Sequence, residues 1–175
     1  GTGKQFGAGL ARPVRWAISG WEVSTLTRLQ KGMPLSFPAN AAPTGLNPAI
    51  SNQSLTQWFN TCTLLANGST RGCTSGEQPA WTIRQPFTLQ TWSSRLTSVR
   101  LPGVHNVDAS IIKHNHFTER FDMLFRVDFI NAFNSPQFFS GPVNDVNNPN
   151  FGRISGAMDQ SNLPRFIDLA LKLQF

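Results

Sequence analysis

Two histidines, His114 and His116, sit two positions apart in the run "HNVDASIIKHNHF" (105–117). On an extended chain that spacing puts both imidazoles on one face, where they could share a metal ion. Two ligands are too few for a metal centre, and Asp108 lies three pleats further along the same face. A polar strand surface is the simpler expectation. Two cysteines, Cys62 and Cys73, are eleven positions apart in a stretch rich in Gly, Ser, Asn and Thr. A zinc site would need further Cys or His nearby, and none follows at finger spacing. A local disulfide in an oxidising compartment is therefore expected, with a pair of free thiols as the alternative. The opening "GTGKQFGAG" lacks the phosphate-loop spacing and reads as a turn. "NDVNNPN" (144–150) offers oxygens that calcium could use, but an Asx-rich loop needs no ion. No Ser-His-Asp or paired-carboxylate set is legible. Asp122, Asp128 and Asp168 are expected to pair with Arg126 and Lys172. The sequence predicts no catalytic residue, no cofactor and no metal.

The elements that would carry these residues show up as period-two alternation. The chain closes with "FIDLALKLQF", in which Ile167, Leu169, Leu171, Leu173 and Phe175 share one side of a strand. The other side carries Phe166, Asp168, Ala170, Lys172 and Gln174. Similar runs lie near 15–37, 105–117 and 120–134, so strands are expected at these positions and at 163–175. In the third run Phe121, Met123, Phe125, Val127 and Phe129 alternate with Asp122, Leu124, Arg126, Asp128 and Ile130. Between the strands lie a long irregular segment, 38–103, a turn at 118–119, and a Pro/Asn/Gly-rich segment, 135–162. Loops of the first two lengths differ so much that a long–short–long order is itself a topological signal.

Composition narrows the class. Charged residues are only 14% against a usual quarter, and the net charge is +6. The eleven arginines are scattered singly from Arg12 to Arg165 and do not cluster as a nucleic-acid surface would require. No apolar stretch reaches the length of a membrane helix. Aromatics are skewed, with fourteen Phe, five Trp and no Tyr. The chain begins at Gly1 and is expected to be a piece of a longer product.

Four strands with a shared apolar side can bury it in half of a soluble sandwich or turn it to lipid in a membrane barrel. Strands of ten to fifteen residues exceed the usual five or six and match the nine to eleven needed to span a bilayer. Outer-membrane barrels alternate short periplasmic turns with long extracellular loops, the order found here. The charges of β-type runs fall on the side opposite the apolar one, as a polar lumen requires, with Lys113 as the exception that would snorkel to the interface. The expectation is an all-β chain: about the last four strands of a transmembrane antiparallel β-barrel in the cell outer membrane. A soluble, secreted β-sandwich binding module and a non-transporting structural barrel are the rivals.

With these residues in place, the chain resembles the C-terminal end of a TonB-dependent outer-membrane receptor of the Oar-like type, common in acidobacteria. The stretches that carry the resemblance are "GWEVSTLTRLQKGMP", "QWFNTCTL", "LPGVHNVDASIIKHNHFTERFDMLFRVDFINAFNSPQF", "NPNFGRI" and "LPRFIDLALKLQF". Asn131, Ala132, Phe133 and Asn134 match the family's N-A-F-N motif. The resemblance implies a barrel of which this chain, 1–175, is the C-terminal portion. It also implies Phe175, with Leu173, Leu171 and Leu169, as the signal read by the barrel-assembly machinery. Leu173 departs from a frequent Tyr. Implied partners are outer-membrane lipid and the TonB complex, reached through a plug not present in this chain; no nucleic acid is expected. The long loops would form an extracellular vestibule, the first braced by Cys62–Cys73, with Trp58, Phe59, Trp81 and Trp92 as possible ligand contacts.

Overall fold

The computed structural model describes residues 9, 11–138, 140–155 and 160–175. "GTGKQFGAG" therefore lies almost wholly outside the described residues. Two compact units are present: Gly1–Leu29, His105–Ser135 and Leu163–Phe175 form one, Gln30–Val104 and Pro136–Asn162 the other. Among the described residues, no helix is long and apolar enough to cross a membrane, a fact that leaves strands untouched.

The first unit is built on one sheet. A helix, α1 (Arg12–Ile18), precedes β1 (Trp21–Gln30), and the sheet continues with the long strands later numbered β8 (Val104–Thr118), β9 (Phe121–Ile130) and β10 (Phe166–Gln174). Their order is β1-β8-β9-β10. β8–β9 and β9–β10 pair antiparallel, the first through the two-residue turn Glu119–Arg120. The register places Leu169, Leu171 and Leu173 opposite Val127, Phe125 and Met123, and Ile111 also opposite Val127. Period two then sets one apolar face across three strands. Asp122, Arg126 and Asp128 fall on the other face, with His116, Ile112 and Ser110 facing them from β8.

Two expectations about the first run are corrected. Residues 15–37 are not one strand. Pro13 sits in the first turn of α1, where its missing N–H costs nothing, and the small residues at 17 and 19 had imitated alternation. Gly20, at φ +74, then turns the chain into β1 so close to β8 that a Cβ there would meet the His114 carbonyl at 2.3 Å. The His114 amide donates to Gly20 O at 2.8 Å across that approach. At the other end the run stops at Gln30, and Pro34 starts a separate strand.

Lys113 does not snorkel. It is 7% exposed on the apolar face. Its ammonium donates to the carbonyls of Trp16 (2.8 Å), Ala17 (3.4 Å) and Ser19, at the C-terminal end of α1. It also lies 5.5 and 5.2 Å from the ring centroids of Trp16 and Trp21. A buried ammonium is tolerable only when its donors are used, and the orphan carbonyls of a helix end use them.

The second unit gathers both long segments around a core of their own. Its strands are β2 (Pro34–Ser36), β3 (Ala41–Pro43), β4 (Thr63–Leu64), β5 (Thr70–Arg71), β6 (Trp81–Ile83) and β7 (Arg95–Arg100). β2 pairs β7, and the other four form a sheet in the order β3-β6-β4-β5. Leu35, Ala41, Phe59, Ala80, Trp81, Val99, Val146 and Phe151 make one buried cluster. The rings of Phe59, Trp81 and Phe151 meet edge-to-face with centroids 5.1–6.0 Å apart. That is the arrangement their quadrupoles favour. A parallel bridge between Ala39 and Asp145 joins the two segments. Segments expected to be irregular loops thus carry enough large apolar residues to pack. Cys62 and Cys73 form a disulfide that closes the β4–β5 hairpin.

Truncating Phe59 to Ala should destabilise this unit by about 3–5 kcal/mol, the usual cost of deleting a core aromatic. Trypsin cleavage within 30–104 of the full-length protein in detergent should accelerate accordingly. Leu89→Ala, at an exposed position, should leave the cleavage rate unchanged.

Candidate functional site

Three places in the described residues bring chemically useful side chains together: the polar face of the long sheet, the C-terminal end of β9, and a cavity in the second unit.

On the polar face, the histidine pair separates. His114 Nε2 lies 3.6 Å from Glu22 Oε2 on β1, while His116 Nδ1 contacts Asp122 on β9. The two rings are drawn to carboxylates on opposite neighbouring strands. Arg126 and Asp128 form the expected ion pair at 2.7 Å, and Ser110 donates to the same carboxylate. Asp168 and Lys172 form no ion pair among the described residues. Register explains it: Asp168 faces Asp128, already engaged, and Lys172 faces Leu124.

At the end of β9, Asn131 is 3% exposed and adopts φ 51°. Its backbone N–H donates to Asp108 Oδ1 at 2.8 Å. Its side-chain amide donates to the carbonyls of Ser135 (3.3 Å) and Leu163 (3.1 Å) and accepts from the Ser135 N–H (2.9 Å). Asn134, at φ 52°, accepts from the Arg165 N–H at 2.9 Å. The Ala132 N–H donates to Val107 O at 2.8 Å. One four-residue motif therefore ties the ends of β8 and β9 to the lead into β10. Asn tolerates the left-handed conformation and its amide mimics a backbone turn, so paired asparagines at a strand end were the available signal.

In the second unit a cavity of about 380 Å³ is walled by Thr56, Gln57, Thr61, Thr63, Arg71 and Arg153, with Gly72–Thr74 at one side and Asn148, Pro149 and Phe151 at another. Arg71 Nη2 donates to Val146 O at 2.5 Å. Arg153 forms no side-chain hydrogen bond or ion pair among the described residues, and it also lines a neighbouring hollow of about 360 Å³ with Leu55, Val143 and Ile154. Among the described residues, no carboxylate lines the larger cavity. The Asx-rich stretch beside it serves its own backbone: Asp145 Oδ1 accepts from the Asn147 N–H and Asn148 Oδ1 from the Asn150 N–H.

The four aromatics expected as ligand contacts are placed differently. Phe59 (0% exposed) and Trp81 (1%) are core, the latter donating its indole N–H to Asn60 O. Trp58 packs against that core and donates to Arg100 O, and Trp92 stacks on Phe37. None of the four lines the cavity. Composition alone could not separate a surface aromatic from one that the segment needs for its own packing. Of the residues read as an assembly signal, Leu169, Leu171 and Leu173 lie on the edge strand with their side chains exposed, and Phe175 is 98% exposed.

A family model described as "Outer membrane beta barrel domain" matches residues 1–168. No curated protein and no solved structure matches the chain.

Replacing Asn131 by Ala should cost about 2–4 kcal/mol, the sum of a left-handed backbone borne by a Cβ and buried groups left unpaired. Asn131→Gly should restore the backbone share, about 1–2 kcal/mol. The measurement is the denaturant midpoint of the full-length protein, read from the different gel mobilities of folded and unfolded forms. Equal midpoints for both variants and the parent would refute the bracket.

Proposed function

Since the chain belongs to the outer membrane β-barrel domain family and resides in the outer membrane, we propose that it is the C-terminal barrel segment of an Oar-like, TonB-dependent receptor. On this reading the protein takes up or captures a solute through a plugged lumen and carries out no catalysis. The observation that supports it is the register that aligns Leu169, Leu171 and Leu173 with Val127, Phe125 and Met123 on one apolar face. Under the proposal this face meets hydrocarbon. A cation at mid-depth on such a face costs about 2–4 kcal/mol, which accounts for the confinement of Arg126 and Lys172 to the other side. The one lysine on the apolar face is neutralised in effect by three helix carbonyls and two indoles.

Orientation follows from chain connectivity. The two-residue turn between β8 and β9 would be periplasmic, and the 30–104 and 136–162 segments would be extracellular. The outer backbone edge of β10 would then pair with the first barrel strand, and Phe175 would be the terminal aromatic read during assembly.

Spin labels at positions 125 and 171 of the full-length protein in lipid should be relaxed by dissolved oxygen and protected from aqueous paramagnets. The opposite pattern would remove the lipid-facing assignment. Deleting Phe175 should cut the amount of assembled protein in the outer membrane several-fold, measured as the heat-modifiable fraction. Solute uptake by cells carrying the complete gene should stop when the energising inner-membrane complex is deleted, while surface binding should survive.

A further inference from the structure

We propose that the cavity between Arg71 and Arg153 is a capture site for a short acidic saccharide, an inference that rests on the receptor reading above and names its ligand class. The size is right for a small molecule: about 380 Å³, within the roughly 300–1,000 Å³ of ligand pockets. Charge comes next. Among the described residues, two guanidinium groups and no carboxylate line the wall. Arg71 is held by Val146 O, so its remaining donors are already oriented, and Arg153 has no side-chain partner among the described residues. Glu77, a carboxylate close in sequence to the wall, is engaged by Gln57 Nε2 at 2.7 Å and the Thr74 N–H at 2.8 Å. Such a wall favours an anion with oxygens spread for forked donors.

The hydroxyls make the choice between a bare anion and a sugar. Thr61 Oγ1 already donates to Gly72 O, Thr63 Oγ1 to Thr61 O, and Thr74 Oγ1 to Gln57 Oε1. Each hydroxyl has one hydrogen, so what these three retain is acceptor capacity. A complementary ligand therefore donates to Thr61, Thr63 and Thr74 while accepting from the arginines. Sulfate only accepts, and hydrogen phosphate has a single O–H to give to three acceptors. A sugar acid does both, through its ring hydroxyls and its carboxylate or sulfate ester. The Cys62–Cys73 disulfide fixes the wall that carries Thr61 and Cys73, so little ordering remains to be lost on binding. Beyond Arg153 and Thr56, the second hollow gives a longer glycan room to continue.

The test is calorimetric titration of the purified full-length protein in detergent with digalacturonate, an unsaturated chondroitin disaccharide, cellobiose and inorganic sulfate. At least one acidic disaccharide should bind, at least tenfold tighter than cellobiose or sulfate. Arg153→Gln should weaken that binding tenfold or more, with Arg153→Lys intermediate. The Arg153 side chain has no partner among the described residues, so both variants should keep the parental heat-modifiability, and Arg71→Gln supplies an independent second variant. No acidic disaccharide bound, cellobiose or sulfate bound equally well, or full binding by both Arg153→Gln and Arg71→Gln would each overturn the proposal. Binding here needs no energised membrane. Saccharide capture without energised uptake would thus sink the transport reading alone, and energised uptake without saccharide capture would sink this site alone.

Discussion

The register of β8, β9 and β10 is the constraint on which the first unit depends. Because side chains alternate strictly, sliding β10 by one residue would bring Asp168, Lys172 and Gln174 onto the face of Phe125 and Val127. The apolar row would move to the side of Arg126 and Asp128 at the same time. Register is strongly specified only where one face differs sharply from the other, and here the difference is nearly complete. The Ser110–Asp128–Arg126 cluster adds a polar lock on the opposite side, since it spans β8 and β9 and would break with any slip. The turn between them has only two residues, so it leaves little slack.

The two ends of the sheet solve different problems with single residues. At one end the chain must enter β1 from a helix whose last carbonyls have no intrahelical partner. Lys113 supplies the donors from the neighbouring strand, and the indoles of Trp16 and Trp21 shield the charge. At the other end β9 must stop and the chain must return as β10 after a long excursion. Asn131 stops it by taking a backbone conformation that β-branched or bulky residues resist, and its amide then holds Leu163, on the returning segment. These bonds tie the strand ends directly to one another.

Period two made the long strands legible, because a sheet with unlike faces writes its alternation directly into the sequence. The runs at 105–117, 120–134 and 163–175 coincide with β8, β9 and β10 to within a few residues. The same criterion misled at 15–20. Ala17 and Ser19 are too small to report a face, and only Pro13 carried the helix signal. Short strands of two or three residues, such as β4 and β5, leave no periodicity to read. The disulfide was legible from composition and spacing. The cavity was not, because Arg71 and Arg153 are 82 positions apart (153 − 71) and only the packing of two segments brings them to one wall.

That packing gives the second unit a physical role distinct from its connectivity. A long segment between strands ordinarily samples many conformations, and a ligand that ordered it would lose much of its binding free energy to that ordering. Here the cost is met during folding, by Phe59, Trp81 and Phe151 in mutual edge-to-face contact and by a covalent bridge within the same stretch. Phe59 and Trp81 therefore act one layer behind the cavity. Phe151 illustrates the division: its ring completes the core cluster and also forms part of the cavity wall. Gly152 beside it, at φ +79, approaches Thr61 so closely that a Cβ would lie 2.3 Å from the threonine methyl. Filling the core and shaping the wall are thus the same set of contacts, and a change to either would be felt in both.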